Sequence, residues 1–272
     1  MSENMSEKKS FFSSLEPKSA MLVGIVGGVL VICAIGFFIT LGILLSKGEK
    51  TDNTATPPAN EQVTPTVTKS DRPVVELFVM SHCPYGLQME KALLPAWTLL
   101  SNKADISVKF VYYAMHGQKE LEEQTRQYCI EKEQAGKFIA YLGCFAKAGD
   151  SASCLAQTKV DQSKMTACVG KTDKEFGIMA KFNDQSTWLS GQFPLFPIYN
   201  DLNERYGVQG SPTLVINGAQ VESGRSPEAV KQAICASFNN PPSECGTALS
   251  TQAAGAGFGD TAGTDASAGC GT

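Results

Sequence analysis

Histidine is nearly absent from this chain: His82 and His116 are its only two in 272 residues. Nowhere do two cysteines stand in a Cys-x-x-Cys arrangement. Together these gaps argue against a zinc site, whose ligands come at such spacings, and no metal and no cofactor is expected. A surplus of positive charge is also missing. Lys and Arg number 23 against 27 Asp and Glu, a net charge of -4. Without a broad basic surface there is no basis for nucleic-acid binding. Charge of either sign is lacking from Ala20 to Leu45. Those 26 residues are long enough to cross a hydrocarbon core of about 30 Å with some tilt.

The uncharged run implies one transmembrane helix at 20–45, after a short polar segment at 1–19 containing Lys8, Lys9 and Lys18. A cleaved signal peptide is the rival, but Leu44-Leu45-Ser46-Lys47 offers no small-x-small cleavage site. Residues 46–72 are rich in Thr, Pro, Asn and Glu and read as a disordered linker. Lysines flank the uncharged run on both sides, so charge sets the orientation only weakly. The nine cysteines decide it: that number suits an oxidising compartment. The expectation is a single-pass protein of the cell membrane with its N-terminus cytoplasmic and its C-terminal domain extracytoplasmic.

Chemistry concentrates in Ser81-His82-Cys83-Pro84-Tyr85-Gly86. A β-type run, Val74 to Met80, leads into it, with Val75, Leu77 and Val79 on one face and Val74, Glu76, Phe78 and Met80 on the other. Apolar residues on both faces predict a central strand. A helical run from about Leu87 to Leu100 leads out of it, with Pro84 suited to a first turn and Pro95 expected to kink the helix. A cysteine at such a junction sits where unpaired N–H groups and the helix dipole favour a thiolate. A second strand spans Ile106 to Tyr113, and strand–helix–strand in this order implies parallel pairing. Residues 118–206 read mainly as helix, broken at Gly143, Gly149 and Asp150. Gly210-Ser211-Pro212-Thr213, then a strand and Asn217-Gly218, reads as turn, proline, strand and hairpin. Ser226-Pro227-Glu228 starts a last helix. From Gly246 the composition is that of a flexible tail, which we set at 249–272.

The two loops, Cys83-Pro84-Tyr85-Gly86 and Ser211-Pro212-Thr213, resemble those of the thioredoxin-like superfamily. The helical block between the strand units, and the stretch Tyr128 to Phe138, resemble the DsbA-type branch with its inserted helices. The resemblance implies an α/β fold with a central mixed sheet over 73–248 and a helical subdomain at about 118–206. It implies a cis bond before Pro212, Cys83 as nucleophile, and Pro84, Tyr85, Ser211, Pro212 and Thr213 on the substrate side. It further implies an acid beneath the cysteine, for which Glu76 is the candidate; a strand-end glutamate reaching solvent is the plainer reading. His82, as imidazolium, would speed attack by the thiol, although a solvent-facing loop histidine reads equally well. His116 has no motif around it and reads as structural.

One departure matters. The family's second active-site cysteine falls on Gly86 here. Attack by Cys83 on a substrate disulfide would leave a mixed disulfide that this motif cannot resolve. Release then needs the substrate's own thiol, a small thiol, an unidentified redox partner, or another cysteine of the chain. Cys270, on its tether, is within reach in principle but reads more simply as a stray tail thiol. Six other cysteines allow 15 connectivities, which sequence alone does not choose among. Turn residues in the short loops favour Cys144–Cys154 and Cys235–Cys245, leaving Cys129–Cys168 to join two insertion helices and Cys83 unbridged.

Two functions fit. One is a membrane-anchored thiol–disulfide oxidoreductase or isomerase acting through one cysteine on extracytoplasmic proteins that contain cysteines. The other is a non-catalytic polypeptide-binding or chaperone module of the same fold.

Overall fold

The structure, a computed structural model, describes residues 67–260. The expected segments 1–19 and 20–45, most of the linker, and the end of the chain from 261 lie outside the described residues. Among the described residues no helix is long and apolar enough to cross a membrane.

Four strands form one mixed sheet in the order β2-β1-β3-β4: β1 (Val74–Val79), β2 (Asp105–Phe110), β3 (Thr213–Ile216) and β4 (Ala219–Gln220). β1 pairs in parallel with β2, Val75 opposite Ile106, and antiparallel with β3, Leu77 opposite Leu214. Its apolar residues on both faces follow from that position. Val75, Leu77, Phe78 and Val79 have no exposed surface, since neighbours flank the strand and helices cover the sheet. β2 is shorter than its apolar run suggests. Beyond Phe110 the chain leaves the sheet, and Tyr113 forms an isolated bridge with Leu195.

Helix α1 (Pro84–Leu100) joins β1 to β2 and runs through Pro95. Leu87, Leu93, Ala96 and Leu100 are all at most 1% exposed, and burying each leucine contributes roughly 1.5–3 kcal/mol. The insertion comprises α2 (Gln118–Ala148), α3 (Ser151–Gln157), α4 (Gln162–Phe176), α5 (Ile178–Asn183) and α6 (Asn200–Tyr206). Gly143 does not break α2. The helix is instead interrupted at Gln134, whose φ is -148°, and ends at Gly149 in the left-handed conformation that glycine adopts without steric cost. Gly177, with φ 64°, separates α4 from α5 in the same way. The last helix, α7 (Pro227–Ala236), has Ser226 as N-cap, its hydroxyl accepting the N–H of Ala229.

Three disulfides tie these parts together: Cys129–Cys168 joins α2 to α4, Cys144–Cys154 joins α2 to α3, and Cys235–Cys245 fastens the chain that follows α7. Cys83 is also disulfide-bonded, which corrects the expectation of an unbridged thiol.

The stretch after Thr247, flexible by composition, is held as far as Asp260. Its base is clamped by α7: Glu228 accepts the N–H of Leu249 at 2.7 Å, and the Lys231 ammonium donates to the carbonyl of Thr247. From there it lies along α1 as a strap.

Candidate active site

The end of β1 turns directly into α1. Cys83 is the N-cap, and its backbone N–H closes the turn onto the carbonyl of Met80 at 2.9 Å. Pro84 occupies the first helical position, where a missing N–H costs nothing. The Sγ of Cys83 accepts the N–H of Gly86 at 3.4 Å, so an unpaired helix donor points at the sulfur. Across from it the Ser211–Pro212 bond is cis, and the carbonyl oxygen of Ser211 lies 3.5 Å from Sγ. The Ser211 hydroxyl accepts the N–H of Met80 at 2.9 Å and pins the loop to the end of β1. Thr213 bonds back to the carbonyl of Gly210 at 2.8 Å and starts β3. The Tyr85 ring lies under the Arg225 guanidinium, 4.7 Å from its centroid.

Gly86 is fixed by space. A Cβ there would meet the Ser211 hydroxyl oxygen at 2.7 Å, the Met80 carbonyl oxygen at 3.1 Å and the Cys83 Cβ at 3.3 Å. The serine hydroxyl fills the volume that a side chain at position 86 would need.

Two expectations change. Glu76 is buried at 7% exposure instead of reaching solvent, and its carboxylate acts on the Tyr199 and Tyr206 phenols. Burial, with the Glu76 carboxylate adding to it, raises the Tyr206 phenol above its usual range. Among the described residues, no hydrogen bond joins Glu76 to the cysteine loop. His82 is not an imidazolium at neutral pH. Burial lowers its pKa to about 4, and the nearby Glu120 carboxylate only partly offsets that. The ring sits between Phe145 and Phe258, at 5.6 and 5.8 Å between centroids, with its Nδ1 3.1 Å from the Ser81 hydroxyl.

Buried acids lie on α1 and α2, and one of them, Glu120, bonds to the loop. Glu120 has no exposed surface and takes four donors: the N–H groups of His82 at 2.9 Å, Met115 at 2.8 Å and His116 at 3.0 Å, and the His116 ring at 2.9 Å. Burial alone would raise its pKa, but the His116 ring and these backbone donors hold it below the usual range. Gln124, one turn on, accepts the N–H of Ser81 at 3.3 Å. Glu123 is tied to Arg126, Gln127, Tyr141 and Ser151. Glu90, two turns along α1 from Cys83, is 1% exposed, and neither of its oxygens has a partner among the described residues. Burial, then the Glu123 charge, push its carboxyl well above the usual range. Glu120, Glu123, Gln124 and Gln127 recur at helical spacing, a polar stripe that the apolar pattern of the same helix conceals.

No known protein-family profile matches the chain. Among curated proteins, too, none matches it. Solved structures similar to it include the reduced form of a disulfide bond oxidoreductase, DsbG, from Mycobacterium tuberculosis, at 16% identity and a TM-score of 0.46, covering 68% of this chain and 93% of that one. Another is MdbA, a thiol-disulfide oxidoreductase from Actinomyces oris, at 13% identity and a TM-score of 0.41, covering 62% and 83%. Oxidised BdbD from Bacillus subtilis is a third, at 17% identity and a TM-score of 0.40, covering 62% and 89%.

Proposed function

We propose that this chain is a thiol–disulfide oxidoreductase or isomerase of extracytoplasmic proteins, with Cys83 as its nucleophile and residues 20–45 as its membrane anchor. One observation carries the reading. The Cys83 sulfur lies between the N–H of Gly86, at the start of α1, and the carbonyl of Ser211, beside cis-Pro212. The first contact favours negative charge on sulfur once the disulfide is reduced. The second places a backbone acceptor beside the reacting atom, where an extended polypeptide can pair in β fashion. Thiolate attack on a substrate disulfide joins Cys83 to one substrate sulfur and expels the other as a thiolate.

The uncharged run at 20–45 supports the anchor, and the count of nine cysteines supports an oxidising compartment. On the side of the alternative, a polypeptide-binding module without chemistry, stands the burial of Cys83, which has no exposed surface. The two part on reactivity. After mild reduction, alkylation of Cys83 should reach half its maximal rate well below the pH of about 8.5 typical of a free thiol. A sulfur that reacts only at or above that pH would leave the binding module as the better description.

A further inference from the structure

The strap crosses the cysteine loop and touches the residues on both sides of Cys83. The N–H of Gly257 bonds to the carbonyl of Pro84 at 2.8 Å, and the Phe258 ring packs on the ring of His82 at 5.8 Å between centroids. Its seat is the groove between α1 and the end of α2. From α1, the Lys91 ammonium reaches three strap carbonyls: Gly255 at 2.7 Å, Gly257 at 2.8 Å and Gly259 at 2.7 Å. Those three acceptors use all the donors an ammonium has. Gln88 donates to the carbonyl of Ala254 at 2.7 Å. From α2, the Ala146 carbonyl accepts the N–H of Gly259 at 3.3 Å, and Lys147 pairs with Asp260 at 3.2 Å. Phe258 stands edge-on to Phe145, 5.3 Å between centroids, and over Gly149, where a Cβ would touch its ring at 3.1 Å.

Two observations set this segment apart from the body it lies on. No described residue after Leu249 belongs to the hydrophobic core, and Phe258 is 41% exposed. Apart from Phe258 and Asp260, the groove holds the strap through its main chain. Glycine at 257 and 259, with φ of 78° and 96°, lets alternate carbonyls turn to one ammonium. What the groove reads is a run of backbone carbonyls and one aromatic ring between glycines, a pattern that a second polypeptide can supply as well as the strap. We propose that this groove is a substrate-binding subsite beside Cys83, and that the strap fills it as an internal stand-in. The segment it takes from a protein substrate carries an aromatic residue between glycines, near the cysteine that reacts. The strap is then autoinhibitory, because a substrate must displace a tethered competitor whose effective concentration is of the order of millimolar. The substrate role rests on the exchange chemistry proposed for Cys83; the affinity of the groove for a peptide does not.

A fluorescein-labelled peptide with the sequence of residues 250–260 tests the groove on the full-length protein. Its anisotropy should show little binding to the parent, whose strap is in place. Phe258→Gly removes an exposed side chain, weakens the strap and should raise the apparent affinity for the peptide about tenfold. Adding Lys91→Gln to that variant should abolish the gain. Equal affinity in the parent and Phe258→Gly, or a gain that survives the loss of Lys91, would overturn the site. Exchange is then read on full-length Phe258→Gly, mildly reduced so that mapping shows the other three bridges intact. The probes are the peptides Cys-Gly-Phe-Gly and Cys-Gly-Ala-Gly, each as a mixed disulfide with thionitrobenzoate, and the rate with Cys83→Ser is subtracted. Attack by the Cys83 thiolate joins it to the peptide sulfur and expels the coloured thionitrobenzoate thiolate. The phenylalanine peptide should react about tenfold faster. Equal rates would sink the subsite while exchange at Cys83 stands. No release from either peptide would overturn the exchange chemistry itself, and the substrate role with it.

Discussion

A methyl group on Gly86 would stand 2.7 Å from the hydroxyl oxygen of Ser211, closer than side-chain carbons pack. Residue 86 and the residue before the cis-proline therefore share one volume. Ser211 also accepts the N–H of Met80, so neither side can change alone without cost.

That shared volume predicts coupling. Gly86→Ala should destabilise by roughly 1–3 kcal/mol through overpacking. Ser211→Ala should cost about 1–3 kcal/mol by orphaning the N–H of Met80. The double variant should lose less than the sum, by about 0.5–3 kcal/mol. Urea unfolding midpoints of the four proteins measure it; strict additivity would remove the steric account of Gly86. By the same reasoning, Gly86→Cys does not restore a two-cysteine loop unless Ser211 is also made smaller.

His82 makes stability fall in acid. Its folded pKa of about 4 lies below the unfolded value near 6.5, so the unfolded chain binds the proton more readily. Stability conferred by the neutral ring is complete above about 6.5 and is lost as pH falls towards 4. The charges facing it are Glu120, which opposes the shift, and Lys119, His116 and Arg126, which add to it. Glu120, itself held below its usual range, loses stability in the same direction at lower pH. Thermal unfolding between pH 7 and 4 should show a shallower decline for His82→Gln than for the parent. Parallel curves would mean that the ring is protonated as easily in the fold as out of it.

Glu90 acts in the opposite sense. Its folded pKa is raised well above 4.5, so the folded state holds the proton more tightly and stability declines as pH rises through that window. Glu90→Met removes both the penalty and the unpartnered oxygens. The variant's advantage in unfolding free energy should therefore be larger at pH 8 than at pH 4. Glu123 raises the Glu90 carboxyl and Lys91 lowers it, so the experiment is best done with both retained. An advantage that does not grow with pH would show that Glu90 is not held protonated.

Sequence alone carries the local features: the strand, the Cys-Pro turn, the helix, the proline-led hairpin and the helical insertion. Each is written in adjacent residues, because strand alternation, capping and turn chemistry act over one or two turns. It also shows that position 86 is glycine. What sequence could not show lies across long separations. Ser211 meets Met80 over 131 residues and Lys91 meets Gly257 over 166, and nothing in either neighbourhood anticipates the other. Glu120 reaches the loop through the N–H of His82 across 38 residues, a contact of the same kind. Glu76 stands out on an apolar strand, whereas Glu120 and Glu90 sit on helices where charge is ordinary. Only tertiary packing buries them. Burial likewise decides that His82 is neutral and that a glycine-rich tail is held, since backbone carbonyls become a binding surface only when a cation such as Lys91 is brought to them.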